Sequence, residues 1–297
     1  MSWNNPHVET PFLGRLANNG VILDNTYTLP SCTPSRAAML TGVYPYKMGL
    51  QRGFGTYFPD GIPTSVPLIA EYLKNIGYRN HIFGKWHLGF CSESYTPTGR
   101  GFDSFDGLYV SLKQYDRLNT SLHTEQMTRE QLIKHVEKIT REKITSNIIK
   151  EQRNRKRPLE ITSKHYVEKV KAVIENHDTE KPFFLLLSLF TKYYNKFKEV
   201  NIIKDRPNIL KNMDETVGDV VDILKESGLY NNTIIFFISD NGGREMPKSI
   251  KSPNYPLRGY KGSIYEGGTK VPAFIHSPLL TNSGYRHACT TLTIDFY

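Results

Sequence analysis

The stretch Cys32-Thr33-Pro34-Ser35-Arg36-Ala37-Ala38-Met39-Leu40-Thr41-Gly42 carries the signals of a helix with a charged, reactive start. Pro34 suits the first turn, where a missing N–H costs nothing, and Gly42 suits the position just past a helix end. Immediately upstream, Val21 to Tyr27 reads as a strand. A strand that feeds a helix through a short loop is the repeating unit of an α/β domain. Free N–H groups and the positive end of the helix dipole favour an anion beside Cys32 and Arg36. A cysteine in that place is either an activated thiolate or a small buried hydrophobe, and the local physics leaves both open.

The same alternation continues outward. Thr10-Pro11 followed by Phe12, Leu13 and Leu16 and closed by Gly20 predicts a short capped helix. Leu68, Ile69, Tyr72, Leu73 and Ile76 fall on one helical face ended by Gly77, and His81-Ile82-Phe83 is a short strand entering Gly84. Pro182 to Phe190 is too short an apolar run to span a bilayer and reads as a buried strand. Val217, Val220, Val221 and Leu224 form a helical stripe stopped by Gly228. Thr233 to Ile238 then reads as a fully buried strand running into Asp240-Asn241-Gly242-Gly243. The expectation is one α/β domain over residues 1–297, with a mixed, largely parallel central sheet flanked by helices. Residues 113–171, polar and helical in pattern, are expected to be an insertion in it. Open α/β sheets place their ligands at the carboxyl ends of the strands, where these polar runs lie.

With 38% apolar and 23% charged residues in 297, the composition is that of a globular protein and excludes collagen-like or disordered classes. The net charge of +9 is local: Arg129 to Lys171 holds 13 Lys/Arg against 6 Asp/Glu. Such a block is a solvated helical face or an attractor of polyanionic substrate, and nucleic acid is not the expected partner. Three cysteines, Cys32, Cys91 and Cys289, are too few for a disulfide scaffold. No transmembrane segment is expected, and the first residues have neither the basic start nor the apolar run of a signal peptide.

The eleven residues from Cys32 to Gly42 match C-x-P-S-R-x-x-x-L-T-G at every fixed position, and the chain is identified by them as resembling the sulfatase family. The resemblance implies an alkaline-phosphatase-like fold and a Cys32 oxidised to formylglycine by the formylglycine-generating enzyme. Its hydrated aldehyde attacks sulfur with one hydroxyl and expels sulfate with the other, so that one hard hydrolysis becomes two easier steps. Gly77 to Gly89, ending in Gly84-Lys85-Trp86-His87-Leu88-Gly89, is similar to the second family signature, with Asn80 where Ser or Thr is usual. By resemblance Lys85 binds sulfate oxygens and His87 positions the formylglycine hydroxyl, while Arg36 helps to hold the sulfate. Asp240 and Asn241, joined by Cys32 in its oxidised form, are implied ligands of Ca²⁺. Lys261, in Leu257 to Gly268, is the implied second lysine on sulfate. Trp3-Asn4-Asn5-Pro6, Gly99 to Asp103 and Gly228 to Thr233 look most like the animal arylsulfatase B group. That likeness implies a sulfated carbohydrate or aryl sulfate substrate, N-acetylgalactosamine 4-sulfate among them, and a lysosomal or secreted location. Asn119-Thr120-Ser121 and Asn231-Asn232-Thr233 are glycosylation acceptors consistent with that route.

Three departures stand against the family pattern. Its members open with a strand ending in two aspartates that complete the calcium site, and Trp3 aligns just downstream of that pair. The resemblance therefore predicts an in-frame apolar strand ending in Asp-Asp upstream, behind a signal peptide. Tyr193 stands where the family places a histidine. A smaller C-terminal subdomain is expected beyond Tyr297. These departures keep two other readings open: a non-catalytic paralogue or fragment that binds sulfated glycans, and a phosphate or phosphonate ester hydrolase on the same fold.

Overall fold

Strand-forming Val21-Ile22-Leu23 and the Phe274-Ile275 pair build one sheet, and His81-Ile82-Phe83 with Phe183 to Leu187 build another. The computed structural model describes residues 1–5, 8–53, 60–110, 163–189, 202–245 and 254–297. Two units result. The first comprises Met1–Ser31, Thr162–His177 and Thr191–Thr293; the second comprises Cys32–Ile161, Asp178–Phe190 and Ile294–Tyr297.

In the first unit, β1 (Val21–Tyr27) pairs antiparallel with β6 (Lys270–Val271) and β7 (Ala273–His276), and parallel with β8 (Tyr285–Leu292). A register shift between Leu23 and Asn25 interrupts the β1–β8 ladder. β5 (Ile235–Ile238) adds antiparallel to β7. Helices α1 (Pro11–Asn18), α4 (Ser163–Glu175) and α5 (Ile202–Glu226) accompany this sheet, with a short α6 (Glu266–Thr269). Leu13, Leu16, Ala17, Ile22, Val221 and Phe274 form its core, and Trp3 meets Phe237 and Phe274 edge-on.

The cap of α1 differs from the one expected. Thr10 makes no side-chain cap; its hydroxyl bonds the Ser2 hydroxyl and accepts the Ser2 N–H. The open N–H groups of Phe12 and Leu13 donate instead to the two oxygens of Asp214, at 3.0 and 2.7 Å, from α5. A helix start must find acceptors somewhere, and here a buried carboxylate about 200 residues away supplies them.

In the second unit, β2 (Arg79–Lys85) lies between β3 (Ser104–Leu108) and β4 (Phe183–Ser188), parallel to both. The parallel pairing expected from the sequence is concentrated here, while the first unit's sheet is mixed. Helices α2 (Cys32–Thr41) and α3 (Ile69–Asn75) belong to this unit. Its core contains Leu40, Leu50, Ile62, Leu68, Ile82, Trp86, Leu88 and Phe102. Buried Asn80 donates through Nδ2 to the carbonyls of Ala70 and Gly101, which ties the start of α3 to the Gly99–Asp103 loop. Buried Arg100 completes the tie through Glu71 and the carbonyls of Ile62 and Val66.

Two expectations are corrected. β4 and β5 are half-buried along their apolar residues rather than fully buried. Among the described residues each is the edge of its sheet, β4 paired with β2 alone and β5 with β7 alone. On α3, Leu68 is buried but Tyr72 and Ile76 are exposed, so the apolar face serves only at its start. Of the 113–171 stretch, the described part is the beginning of α4, which continues to Glu175 and packs beside α5.

Burial holds the Asp214 carboxyl above its ordinary range, against the lowering effect of its two backbone donors. A raised folded-state pKa gives a contribution present below the unfolded pKa and lost as pH rises through the folded value. Urea unfolding of Asp214→Ala should show a loss of about 1–3 kcal/mol from the missing cap. The advantage of the wild type over Asp214→Asn should shrink as pH rises through the aspartate range.

Candidate active site

The second unit holds Cys32, Arg36, Lys85 and His87, and its packing explains their placement. Cys32 is the first residue of α2, buried and not in a disulfide. Gly42, just past the helix end, takes the left-handed conformation at φ 64° that ends it. One turn in from the start, Arg36 is buried at 6% exposure. Its Nε donates to the Trp86 carbonyl at 2.8 Å, and its Nη2 donates to the Lys85 carbonyl and to Ser188 Oγ. Three of the guanidinium's five N–H donors are thus committed to the end of β2 and the last residue of β4.

Those carbonyls stand where β2 leaves its sheet. Trp86 and His87 still donate their N–H groups to Leu108 and Tyr109, so the segment continues alongside the β3 side. His87 is the one non-glycine among the described residues with positive φ, 64°. Such a conformation persists in a bulky residue only where its surroundings fix it, and it is concentrated at functional sites. Thr33, fully buried on α2, donates its hydroxyl to the His87 carbonyl at 3.2 Å and meets His87 Nδ1 at 3.4 Å. Side chains of one helix therefore grip the backbone of Lys85, Trp86 and His87.

Glycine makes the approach possible. Gly84 stands opposite Gly107 on one side and Ser188 on the other. A Cβ on Gly84 would meet the Ser188 carbonyl at 2.0 Å, and one on Gly107 would meet the Gly84 carbonyl at 1.7 Å. Thr33 and Ser188 were not identified from the sequence as site residues. The readable signal for Ser188 is a polar residue at the carboxyl end of an apolar strand.

The first unit holds Asp240, Asn241 and Lys261. Asp240 and Asn241 follow β5, and Lys261 N–H donates to the Gly243 carbonyl at 2.8 Å, so these runs meet. Asn254 bonds Gly243 through both its amide groups and reaches the Gly259 carbonyl. Gly262 N–H donates to the carbonyl of Pro30, two residues before Cys32 in the chain. Tyr193 lies outside the described residues.

A family model named Sulfatase matches residues 1–297. The chain belongs to the sulfatase family. It is 32% identical to arylsulfatase J of Mus musculus over 96% of its length and 46% of the relative's. It is 29% identical to N-acetylgalactosamine-6-sulfatase of Rattus norvegicus over 93% of its length and 53% of the relative's. Among solved structures, Ps i-CgsB in complex with k-i-k-neocarrahexaose matches with a TM-score of 0.73 at 28% identity, covering 99% of this chain and 66% of that one. The sulfatase chain thus spans about half the length of the curated relatives it matches. Where separate segments resembled arylsulfatase B, the whole-chain comparison gives arylsulfatase J at 32%.

The family implies calcium, and the donors fit it in kind but not in number. Asp240 brings two carboxylate oxygens and Asn241 one amide oxygen, of the 6 to 8 that Ca²⁺ takes. Among the described residues no group of three or more His, Cys, Asp or Glu side chains could hold a metal. Asn241 Nδ2 donates to the Gly242 carbonyl at 2.8 Å, within its own turn. A buried, unbridged Cys32 at a helix start does fit the sulfatase modification.

Gly77 and Gly84 both adopt positive φ, but nothing lies within 4 Å of a Cβ on Gly77. Gly77→Ala should therefore cost about the 1–3 kcal/mol of backbone strain alone. Gly84→Ala adds a collision with backbone, and its unfolding midpoint in urea should fall well below that of Gly77→Ala.

Proposed function

We propose that this chain provides catalytic residues of a sulfate-ester hydrolase of the arylsulfatase or glycosaminoglycan sulfatase type. The observation that carries the reading is the grip of the Cys32 helix on Lys85, Trp86 and His87. It brings the two family signatures together around a fixed backbone, and preorganised groups are what stabilise charge developing in a transition state.

In this reading Cys32 is the residue converted to formylglycine, whose hydrate supplies a nucleophilic hydroxyl and a second one that allows sulfate to leave. Lys85, half-buried, offers an ammonium to the sulfate oxygens. A partly desolvated cation there counts for more than it would in water. His87, with its backbone fixed, holds a hydroxyl proton at its ring. Arg36 acts on sulfate chiefly by fixing Lys85 and His87, because its Nε and Nη2 donors are spent on carbonyls and Ser188. Lys261 is the second lysine for sulfate. Asp240 and Asn241 are ligands of a calcium whose other oxygens come from elsewhere.

The substrate class is a sulfated carbohydrate. N-acetylgalactosamine sulfate is the candidate, supported by the family resemblance and by a relative named for the 6-sulfate. The modifying partner is the formylglycine-generating enzyme, and the route is lysosomal or secreted. Asn231 is exposed in a turn beside β5, as a glycosylation acceptor needs to be. No helix among the described residues is long and apolar enough to cross a membrane.

The test is expression of the chain in its full-length context through a secretory pathway that modifies other sulfatases. Mass spectrometry of the peptide containing Cys32 should find the aldehyde in place of the thiol. Aryl sulfate should be turned over faster than aryl phosphate, and Lys85→Ala should lower that rate by about 10²-fold or more. His135→Ala, in the 113–171 stretch outside the described residues, should leave it unchanged. Unmodified thiol throughout, or faster turnover of the phosphate ester, would overturn the reading.

A further inference from the structure

We propose that His276 and Tyr230 form an acid-sensitive clasp that holds the Tyr230–Asn232 turn to the end of β7 at neutral pH and loosens it in acid. The clasp lies in the first unit, on residues that no step at Cys32 uses, so it stands or falls apart from the sulfatase reading.

The clasp is built on a buried ring. His276 ends β7 and is 6% exposed. Its Nε2 meets the Tyr230 hydroxyl at 2.7 Å, and its Nδ1 is buried with no hydrogen-bond partner. Next to it in the chain, the Ser277 hydroxyl donates to the Thr233 carbonyl at 2.8 Å. The turn and β7 are thus tied at two points, and only the first can take up a proton. The turn leads into β5, whose Ile235 stands opposite His276 in the antiparallel ladder.

Protonation spoils this arrangement whichever nitrogen carries the proton of the neutral ring. A neutral imidazole has one donor and one acceptor, and the Tyr230 hydroxyl can match either at Nε2. A charged ring has two donors and no acceptor. Tyr230 must then accept from Nε2–H, while Nδ1–H becomes a charged donor with nothing in hydrogen-bonding reach, at a cost greater than that of a neutral group in the same place. The surroundings do not offset that cost. From the end of α1 the carbonyls of Leu16 and Asn19 favour the charged form, but burial outweighs them and holds the pKa of His276 below the ordinary histidine value. From α5 the charged group at the clasp is Lys225, a cation 5.5 Å from the centre of the Tyr230 ring and paired with Asp222. Among the described residues no carboxylate acts on the ring to stabilise its charge.

The sign follows from linkage. A folded-state pKa below the unfolded one gives a contribution that is complete above the unfolded value, about 6.5, and is lost as pH falls through it toward the folded value. One proton bounds the loss, at up to about tenfold per pH unit in the equilibrium between closed and open turn. Local opening of that kind exposes the backbone hydrogen bonds of the segment to exchange.

The test is hydrogen exchange at the Asn232 and Thr233 amides, which donate to the Leu229 and Tyr230 carbonyls. It is made on the chain in its full-length context, between about pH 8 and about pH 5. Corrected for the intrinsic pH dependence of exchange, protection of both amides should fall with pH, by up to about tenfold per unit. In His276→Gln, whose neutral amide can still accept from Tyr230, protection should stay level. A second measurement does not need that variant to fold: among the ring ¹³C signals of the histidine-labelled chain, the one that moves in Tyr230→Phe should titrate below the ordinary histidine value. Level protection in the wild type, or an equal fall in the wild type and a folded His276→Gln, would overturn the proposal. So would a His276 ring that takes its proton at or above the ordinary value.

Discussion

A buried guanidinium and the carbonyls at a strand end meet in this chain. Arg36 is a permanent charge placed where water scarcely reaches, which is tolerable only with full hydrogen bonding. The carbonyls of Lys85 and Trp86 lie where β2 gives out, and they accept from it. Charge-assisted bonds of this kind are the stronger ones available to a backbone. Remove the arginine and both carbonyls lose a charged donor; remove the strand end and the buried charge loses two acceptors. Lys85 and His87 project from the segment so held.

The rest of the second unit serves that contact. Gly84 and Gly107 let three strand backbones come close at one level, and Ser188 sits at the same level to take the remaining Nη2 proton. Arg100 with Glu71, and Asn80 with Ala70 and Gly101, lock the loop and helix behind the sheet. In the first unit the same economy appears at Asp214, a buried carboxylate kept for two helix N–H groups. In both units a polar group buried at a helix start or strand end finds its partner far along the sequence.

Local signals were legible in the sequence where they are short-range in cause. Pro34 and Gly42 bracket a helix that does run from Cys32 to Thr41, and Val21 to Tyr27 is a strand with those bounds. Gly228, at φ 74°, ends α5 as its position predicts. The burial of β4 and β5 was misjudged because an apolar strand reads the same at the centre and at the edge of a sheet, and pairing is a property of the whole fold. β8 went unread because Tyr285 to Leu292 is polar and exposed, without the alternation that marks a strand. Of the candidate site, Cys32, Lys85 and His87 are named by their motifs alone. What Arg36 and Thr33 touch could not, since their partners lie about 50 residues away and no periodicity encodes them.

The backbone of residues 85 to 87 in an Arg36→Ala variant tests this account most directly. A crystal structure of that variant should show the Lys85 and Trp86 carbonyls turned away and His87 out of the left-handed region. An unchanged turn, with His87 still near φ 64° and both carbonyls in place, would contradict the claim that the arginine holds the site together.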